Sequence, residues 1–379
     1  MMPDSTRLAR LAEVLIHYSL DVQPGQLIAV MADIEAMPLV REVYREILRA
    51  GAHPELQFEM DDAREIYLKE ASDEQLDFVS PLRQFITERF DRLLYIDAET
   101  NTRRLTQIDP QRIARRRKAY DPLDTLWSQR AAQGLMRWCY TQFPTQAYAQ
   151  NANMSLADYW EFMSSACMLD EPDPLASWQK QAERLRRLIA WLKGRKRVHI
   201  LGKDTDLSLS IEGRDFLPCD GHINFPDGEI YTGPVEDSAE GYIRYELPGS
   251  YDGHNVDDIR LRFEHGRVVE AHAATSENFL LSMLDIDEGA RRIGEFAFGL
   301  NYGIRQATRN TLYDEKIGGT IHLALGRSYP ESGGLNLSAL HWDMVCDLRQ
   351  QGEVWVDGEL FLKDGEYLLM SNRSTTDER

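Results

Sequence analysis

The hydrophobic pattern of this chain changes near residue 193, and this change limits the possible folds more than any other feature. Before it, segments with helical spacing alternate with short apolar runs, such as the strand predicted over residues 26–31 and the helix predicted over residues 37–50. After it, short segments alternate apolar with polar residues, as in residues 206–211 and 259–263. Helices alternating with strands indicate a parallel sheet, whereas alternating strands indicate antiparallel sheets.

This pattern predicts an α/β protein with two domains. The first is a parallel α/β sandwich over residues 1–192, a scaffold that includes two bridging helices predicted at about 155–168 and 175–192. The second covers residues 193–379 and is mostly antiparallel β, of the α+β type. The total of 379 residues is long enough to bury a separate core in each domain.

Charge and the lengths of the apolar runs argue against two classes of partner, nucleic acids and membranes. The chain has 43 Lys and Arg residues against 62 Asp and Glu residues, a formal net charge of −19. A duplex-binding protein normally carries a basic face, so we expect no nucleic acid partner. The first residues lack the apolar core of a signal peptide, and no apolar run approaches the roughly 18 residues of a membrane span. We therefore expect a cytoplasmic protein that does not bind a membrane.

Two kinds of site are also disfavoured. The first half has the pattern of a nucleotide-binding fold but lacks both glycine-rich phosphate-binding motifs, and the junctions at residues 31–36 and 60–63 are acidic and free of glycine. The four cysteines are scattered, which indicates buried free thiols rather than disulfides or a zinc ribbon. They are Cys139, Cys167, Cys219 and Cys346.

The triplet from His341 to Asp343 is the most informative candidate site. It lies in the apolar run over residues 338–346, which is too short for a long helix. In a strand, His341 and Asp343 share one face, so an imidazole and a carboxylate can reach the same ion. On a helix they would lie about 200° apart. The simpler alternative is a histidine and an aspartate paired with each other at a strand end.

Three further side chains fit the same chemistry, although each has an ordinary interpretation by itself. His322 lies in a run with small neighbours on its own face, where a histidine bonded to a backbone carbonyl is the alternative. Glu295 follows a glycine and precedes two phenylalanines, and buried carboxylates are paired, protonated or metal-bound. Glu229 opens a predicted strand after a turn, as solvated glutamates also do. His222, close in sequence to Asp220, is held in reserve.

Four motifs, in the same order along the chain, resemble signatures of one family. They are NFPDGEIYTGP at 224–234, DEGARRIGE at 287–295, LYDEKIGGTIH at 312–322 and SALHWD at 338–343. The resemblance is to the thermophilic aminopeptidase family, metallo-exopeptidases of the aminopeptidase T and aminopeptidase S type that are leucyl aminopeptidase-like. It extends over nearly the whole chain and is strongest from about residue 196 onward, so it implies that the second domain is the catalytic, metal-binding one.

The resemblance also implies a set of site residues. The implied metal ligands are Glu229, Glu295, His322, His341 and Asp343. Two divalent ions would activate a water, Glu295 would take its proton, and Tyr329 would donate to the oxyanion. A site rich in carboxylates with two imidazoles suits zinc, cobalt or manganese. The implied substrates are peptides with a free N-terminus, and the implied assembly is a homodimer.

Two other functions stay open at this point. His322, His341 and Asp343 alone form the two-histidine, one-carboxylate triad of non-haem Fe(II) oxygenases, and ring-cleaving dihydroxypyridine dioxygenases resemble the same family. A single iron does not need both Glu229 and Glu295, whereas a two-metal site does, which favours the peptidase. A metal-free binding protein is the third possibility, and the complete set of ligands argues against it.

Overall fold

The computed structural model describes residues 4–60, 62–251 and 253–371. Within them the chain forms two compact units. The first comprises the residues up to Trp178 together with Gly221–Pro226, and the second comprises Gln179–Asp220 together with the residues from Asp227 onward. The division of the sequence between residues 192 and 193 stays a prediction about domains.

The α-helices of the described residues fall mostly in the first half of the chain. They are α1 Ser5–Val14, α2 Met37–Arg49, α3 Ala63–Glu70, α4 Asp73–Asp77, α5 Pro81–Arg89, α6 Pro110–Ala132, α7 Gln146–Asn151, α8 Leu156–Ala166, α9 Pro174–Leu192, α10 Glu277–Leu284, α11 Thr311–Asp314 and α12 Leu368–Ser371. None of them is both long enough and apolar enough to cross a membrane.

The strands dominate the second half. They are β1 Leu27–Asp33, β2 His53–Glu59, β3 Arg92–Asp97, β4 Arg137–Gln142, β5 Arg197–Gly202, β6 Thr205–Ser210, β7 Leu217–Cys219, β8 Asn224–Phe225, β9 Glu229–Thr232, β10 Glu240–Tyr245, β11 Gly249–Tyr251, β12 His254–Val256, β13 Ile259–Glu264, β14 Arg267–His272, β15 Ile293–Gly299, β16 Thr320–Gly326, β17 His341–Asp347, β18 Glu353–Val356, β19 Glu359–Lys363 and β20 Glu366–Tyr367.

The first unit is built on a parallel sheet with the strand order β2-β1-β3-β4-β8. Strand β1 is buried along most of its length, as expected for the central part of a parallel sheet. Helix α2 packs against β1 and β2. It buries Leu39, Val40, Val43 and Ile47, which share one face at a spacing of three to four residues. The predicted parallel α/β architecture is confirmed.

The second unit contains antiparallel sheets of eight, five and two strands. Their orders are β14-β13-β10-β6-β5-β18-β19-β20, β17-β16-β15-β9-β7 and β11-β12. One face of the five-stranded sheet contributes to a large apolar core, so that the other face is available for polar side chains. The core residues of this face alternate along three strands, as expected for period-2 strands. They are Phe296 and Phe298 of β15, Ile321, Leu323 and Leu325 of β16, and Trp342, Met344 and Cys346 of β17.

Candidate metal centre

The register of the five-stranded sheet brings all five predicted ligands to one face. Residues directly opposite each other in an antiparallel pair share a face, and so do residues two apart along one strand. Asp343 is opposite Ala324, which is two residues from His322. Ala324 is also opposite Glu295. Glu229 is opposite Gly299, four residues along β15 from Glu295, and His341 is opposite Gly326, so both belong to the same face.

A β-bulge at Gly294 decides which face Glu295 occupies. Ile293 pairs with Leu325, but Glu295 pairs with Ala324, so the register shifts by one residue between them. Without this shift, Glu295 would lie opposite Leu323 and point into the apolar core, because strand faces alternate with period 2. A Cβ on Gly294 would lie 2.2 Å from the carbonyl oxygen of Gly326, so no larger residue fits without a backbone movement.

We expect Gly294→Ala to lower the free energy of unfolding by about 1–3 kcal/mol, because the added methyl group clashes with the backbone of β16. It should also reduce metal retention, because relief of the clash displaces the adjacent Glu295. Thermal unfolding and metal content after dialysis measure the two effects. Gly134→Ala is the control for metal retention: its φ of +69° makes alanine destabilising there too, but a Cβ meets nothing within 4 Å, so the metal content should stay at the wild-type level. Full metal retention by Gly294→Ala would contradict the proposed role of the bulge.

A tight turn presents Glu229 at the start of β9. Gly228 has a φ of +126°, in the region that favours glycine. Its N–H donates to the carbonyl of Cys219 at 3.0 Å, and its own carbonyl accepts from the N–H of Leu300 at 2.8 Å. The side-chain amide of Asn301 donates to the carbonyl of Asp227 at 2.8 Å. These bonds fix the backbone on both sides of the turn and therefore the origin of the Glu229 side chain.

The imidazoles and carboxylates lie within a few ångströms of each other. Nε2 of His322 is 3.1 Å from Oε1 of Glu295 and 3.9 Å from Oδ1 of Asp343. The same Oδ1 of Asp343 is 3.5 Å from Nε2 of His341. His322 is fully buried and His341 is a quarter exposed. The two histidines therefore direct Nε2 towards one shared carboxylate.

Backbone carbonyls orient both rings. Nδ1 of His322 lies 3.1 Å from the carbonyl oxygen of Glu315, and Nδ1 of His341 lies 2.8 Å from that of Arg327. A carbonyl oxygen only accepts, so each Nδ1 donates its proton in these bonds. Nε2 of His322 faces the carboxylate of Glu295, which also only accepts, so Nε2 of the metal-free ring carries a proton as well, and a bound cation would replace that proton. Histidines that bind metals are oriented by such bonds at the other ring nitrogen. The ordinary interpretation of His322, a core histidine bonded to a carbonyl, is thus part of the geometry and does not exclude a ligand.

Two residues of the cluster were not predicted. Lys316 is fully buried, forms an ion pair with Glu315, and places Nζ 3.6 Å from Oε1 of Glu229. Oε2 of Glu229 lies 3.8 Å from Nδ1 of His322. Burial raises the pKa of Glu229 to about 8 against the opposing effect of the Lys316 charge. A glutamate and a lysine directly before Ile317-Gly318-Gly319, in the motif that ends at His322, were the signal that could have identified both.

The cluster shifts the ionisation of its own members. Burial alone would lower the pKa of His322, but the bond to Glu295 and the negative charges of Glu229 and Asp343 raise it to about 10. Burial likewise opposes protonation of His341, and the charge of Asp343 outweighs it and raises the pKa to about 10. Burial acts to raise the pKa of Asp343, yet the two imidazoles lower it to about 2. The carboxylates of this face therefore attract positive charge strongly.

The donor atoms of the cluster fit divalent cations. Within the described part of the chain, Oε2 of Glu229 and Oδ1 of Asp343 are buried atoms without a hydrogen-bond partner. A buried carboxylate oxygen left in this state costs free energy unless a cation or a donor reaches it. Two groups of ligand atoms share His322, and the atoms of each group all lie within 4.8 Å of one another. One group joins Glu295, His322 and Asp343, and the other joins Glu229, Glu315 and His322.

A third group of this kind and a small crevice adjoin the cluster. Cys219, Asp227 and Glu229 also place ligand atoms within 4.8 Å of one another, and neither Cys219 nor Asp227 was predicted as a ligand. The crevice is lined in part by Glu315 and Asp343 and has a cavity volume of about 20 Å³. That volume suffices for one water-sized molecule. The site thus has room for a small polar group beside Asp343.

Tyr329 lies at the edge of the cluster. Its ring centroid is 5.2 Å from that of His341 and 5.8 Å from that of Tyr231, and 42% of the residue is exposed. Partial burial raises the pKa of Tyr329, and the negative charges of Glu295 and Asp343 raise it further. The phenol therefore keeps its proton at neutral pH and is able to donate a hydrogen bond.

The reserve candidate, His222, is a residue of the first unit and packs against Tyr18, with the ring centroids 4.6 Å apart. It is in none of the metal-capable groups found among the described residues. The four cysteines are free thiols as predicted, and three of them are buried, whereas Cys219 is only half-buried.

The fold and this face of carboxylates and imidazoles define a protein able to hold divalent cations on an antiparallel sheet. A profile of the thermophilic metalloprotease family M29 matches residues 4–367, which is almost the whole chain. The chain therefore belongs to the M29 thermophilic metalloprotease family.

Individual relatives agree with this assignment. Aminopeptidase 2 of Geobacillus stearothermophilus is 29% identical over 407 aligned positions, covering 95% of each chain. Aminopeptidase T of Thermus thermophilus is 27% identical, covering 86% of this chain and 85% of the relative. The solved structure of wild-type AmpT from Thermus thermophilus superposes with a TM-score of 0.81 at 25% identity, covering 96% of this chain and 99% of that one. The family and the enzyme class predicted from the sequence, a metallo-aminopeptidase, are confirmed.

Proposed function

We propose that the chain removes N-terminal residues from peptides at a centre holding two divalent ions. The observation that carries the proposal is the set of five side chains on one sheet face, two of which bury a carboxylate oxygen that has no hydrogen-bond partner among the described residues. The proposed ligands are Glu229, Glu295, His322, His341 and Asp343. When bound, the ions supply a water of pKa about 7 and polarise the scissile carbonyl.

Three of the proposed ligands are oriented towards one another by the contacts of the cluster. His322 and His341 offer Nε2 to the centre, because their Nδ1 atoms are held by backbone carbonyls. Oδ1 of Asp343 lies within 4 Å of Nε2 of both imidazoles, so its carboxylate would be a ligand beside each of them. Zinc, cobalt and manganese all accept this mixture of carboxylate and imidazole ligands.

Glu295 is the proposed proton acceptor. Its Oε1 lies 3.1 Å from Nε2 of His322, so this oxygen faces the same centre as the imidazole, and the second oxygen would be left to take the proton of the water. Tyr329, beside His341, is the proposed donor to the oxyanion that develops at the scissile carbonyl. Its raised pKa supports this role, because the phenol must carry a proton to donate it.

The competing interpretation is a ring-cleaving dioxygenase with one Fe(II) on His322, His341 and Asp343. The position of Glu295 argues against it, since its carboxylate bonds the first of these histidines and so belongs to the same cluster. Family membership and the names of the relatives favour the peptidase as well.

The test compares a peptide with a free N-terminus and its N-acetylated form. We expect release of single N-terminal residues from the free peptide only, loss of activity on chelation, and recovery when divalent metal is returned. Anomalous scattering from crystals soaked in the metal should give two peaks about 3.5–4 Å apart. Equal cleavage of the two peptides would show that a free amine is not recognised. Oxygen consumption with a dihydroxypyridine, without peptide cleavage, would favour the dioxygenase.

A homodimer and a cytoplasmic location stay predictions of the family resemblance and of the sequence. Sedimentation equilibrium of the metal-loaded protein tests the first of them. A single species with the mass of one chain across the concentration range would contradict it.

A further inference from the structure

Lys316 is a cation of the cluster that the proposed chemistry does not use. Its side chain is 0% exposed, although lysine is among the residues that are almost never fully buried without a partner. Its ammonium group contacts Glu315 and lies 3.6 Å from Oε1 of Glu229. A desolvated ammonium group is costly unless such contacts compensate it. The two carboxylates therefore explain how Lys316 can be buried, and its role in the cluster is the question.

The backbone holds Lys316 at this distance independently of the ion pair. The carbonyl of Lys316 accepts from the N–H of Asn301 at 2.9 Å. The side chain of the same Asn301 donates to the carbonyl of Asp227, two residues before Glu229. One residue therefore connects the backbone that carries the lysine with the turn that carries the glutamate, and the Glu229–Lys316 spacing is built into the fold.

The two oxygens of Glu229 have different neighbours. Oε1 lies 3.6 Å from the ammonium group of Lys316, whereas Oε2 lies 3.8 Å from Nδ1 of His322 and has no hydrogen-bond partner among the described residues. A carboxylate held at one oxygen presents the other in a single orientation. Ligating carboxylates are generally held in this way by neighbouring donors.

We propose that Lys316 is a positioning residue for the metal centre, which holds Glu229 through Oε1 so that Oε2 is directed towards the metal. This inference rests on the proposed function, because it takes Glu229 as a ligand. Lys316 contacts neither substrate nor reacting atoms in this account. It acts only through the carboxylate of Glu229, and Glu315 holds the ammonium group from the other side.

The test is the affinity of the metal-free full-length protein for Zn²⁺, measured by competition with a chromophoric chelator. Lys316→Met keeps an unbranched side chain one atom shorter and removes the charge, and we expect a dissociation constant about 10- to 100-fold higher than that of the wild type. Lys363→Met is the matched control. Lys363 is half exposed and pairs with Glu353 on neighbouring strands of another sheet, so its loss should leave the affinity unchanged.

A double-mutant cycle separates positioning from general damage to the fold. If Lys316 acts through Glu229, Lys316→Met should have no further effect on affinity in a Glu229→Gln background, because coupled residues are not additive. A purely structural role would lower affinity by the same factor in both backgrounds and would overturn the proposal. If Lys316→Met does not fold, Lys316→Gln, a polar side chain without the charge, carries the same expectations.

The remaining outcomes are also decisive. A wild-type protein that binds no Zn²⁺ overturns the proposed metal centre and this inference together. A wild-type protein that binds Zn²⁺ while Lys316→Met binds it equally well, or more tightly, overturns the inference alone. Tighter binding would show that the ammonium group mainly repels the ion.

Discussion

Glu295→Gln is expected to lower kcat by about 10²–10⁴ with little change in KM, if Glu295 is chiefly the proton acceptor. The amide keeps the size of the side chain but cannot take a proton. Its oxygen can still accept at the position where Oε1 of Glu295 now meets His322, so the cluster should keep its geometry. The measurement is kcat as a function of metal concentration.

The same variant distinguishes a base from a ligand. If Glu295 is chiefly a ligand, the substitution weakens one metal position and excess metal restores part of the rate. Glu229→Gln is the comparison, because Glu229 is the proposed plain ligand and should respond to added metal. Near-normal turnover of Glu295→Gln at ordinary metal concentration would remove Glu295 from the mechanism.

Asp343→Asn is expected to remove metal and to reduce activity by more than about 100-fold. The carboxylate of Asp343 lies within 4 Å of Nε2 of both histidines, so its loss affects both imidazoles at once. Substitution of a residue that holds a ligand in place typically lowers metal affinity or activity 10- to 100-fold. Substitution of a ligand that lies beside both histidines should lower them further. Elemental analysis after dialysis gives the ions retained per chain.

A nearby aspartate provides the control. Asp347 lies on the same strand, and the alternation of the strand places it on the same face as Asp343. It pairs with Arg349 at 2.7 Å instead of with a histidine. Asp347→Asn should therefore keep the wild-type metal content. Loss of metal in both variants to the same extent would point to damage of strand β17 and not to loss of a ligand.

The architecture of both halves could be predicted from periodicity. The residues of α2 repeat at helical spacing, and those of β16 and β17 alternate, because each element must bury one apolar face. The apolar positions expected on β16 and β17 are the ones that enter the core. The bounds of the strands were less accurate, since β17 begins at His341 although the apolar run starts at residue 338.

The set of candidate ligands also came from the sequence, in two different ways. His341 and Asp343 follow from strand alternation alone, because their separation of two residues places them on one face. Glu229, Glu295 and His322 had ordinary interpretations by themselves and were joined to the site by the family resemblance. Their roles as ligands and as base remain to be tested by the experiments above.

The sequence by itself determined the local properties of this protein: strand alternation, the acidic balance, free cysteines and the motifs that identify the M29 family. These depend on residues close together in the chain. The tertiary structure alone decided the face of Glu295, because a single bulge at Gly294 reverses the alternation. It also decided the burial of Lys316 beside Glu229, 87 positions apart in sequence. Such contacts depend on strand register and on the packing of distant segments, which no local pattern records.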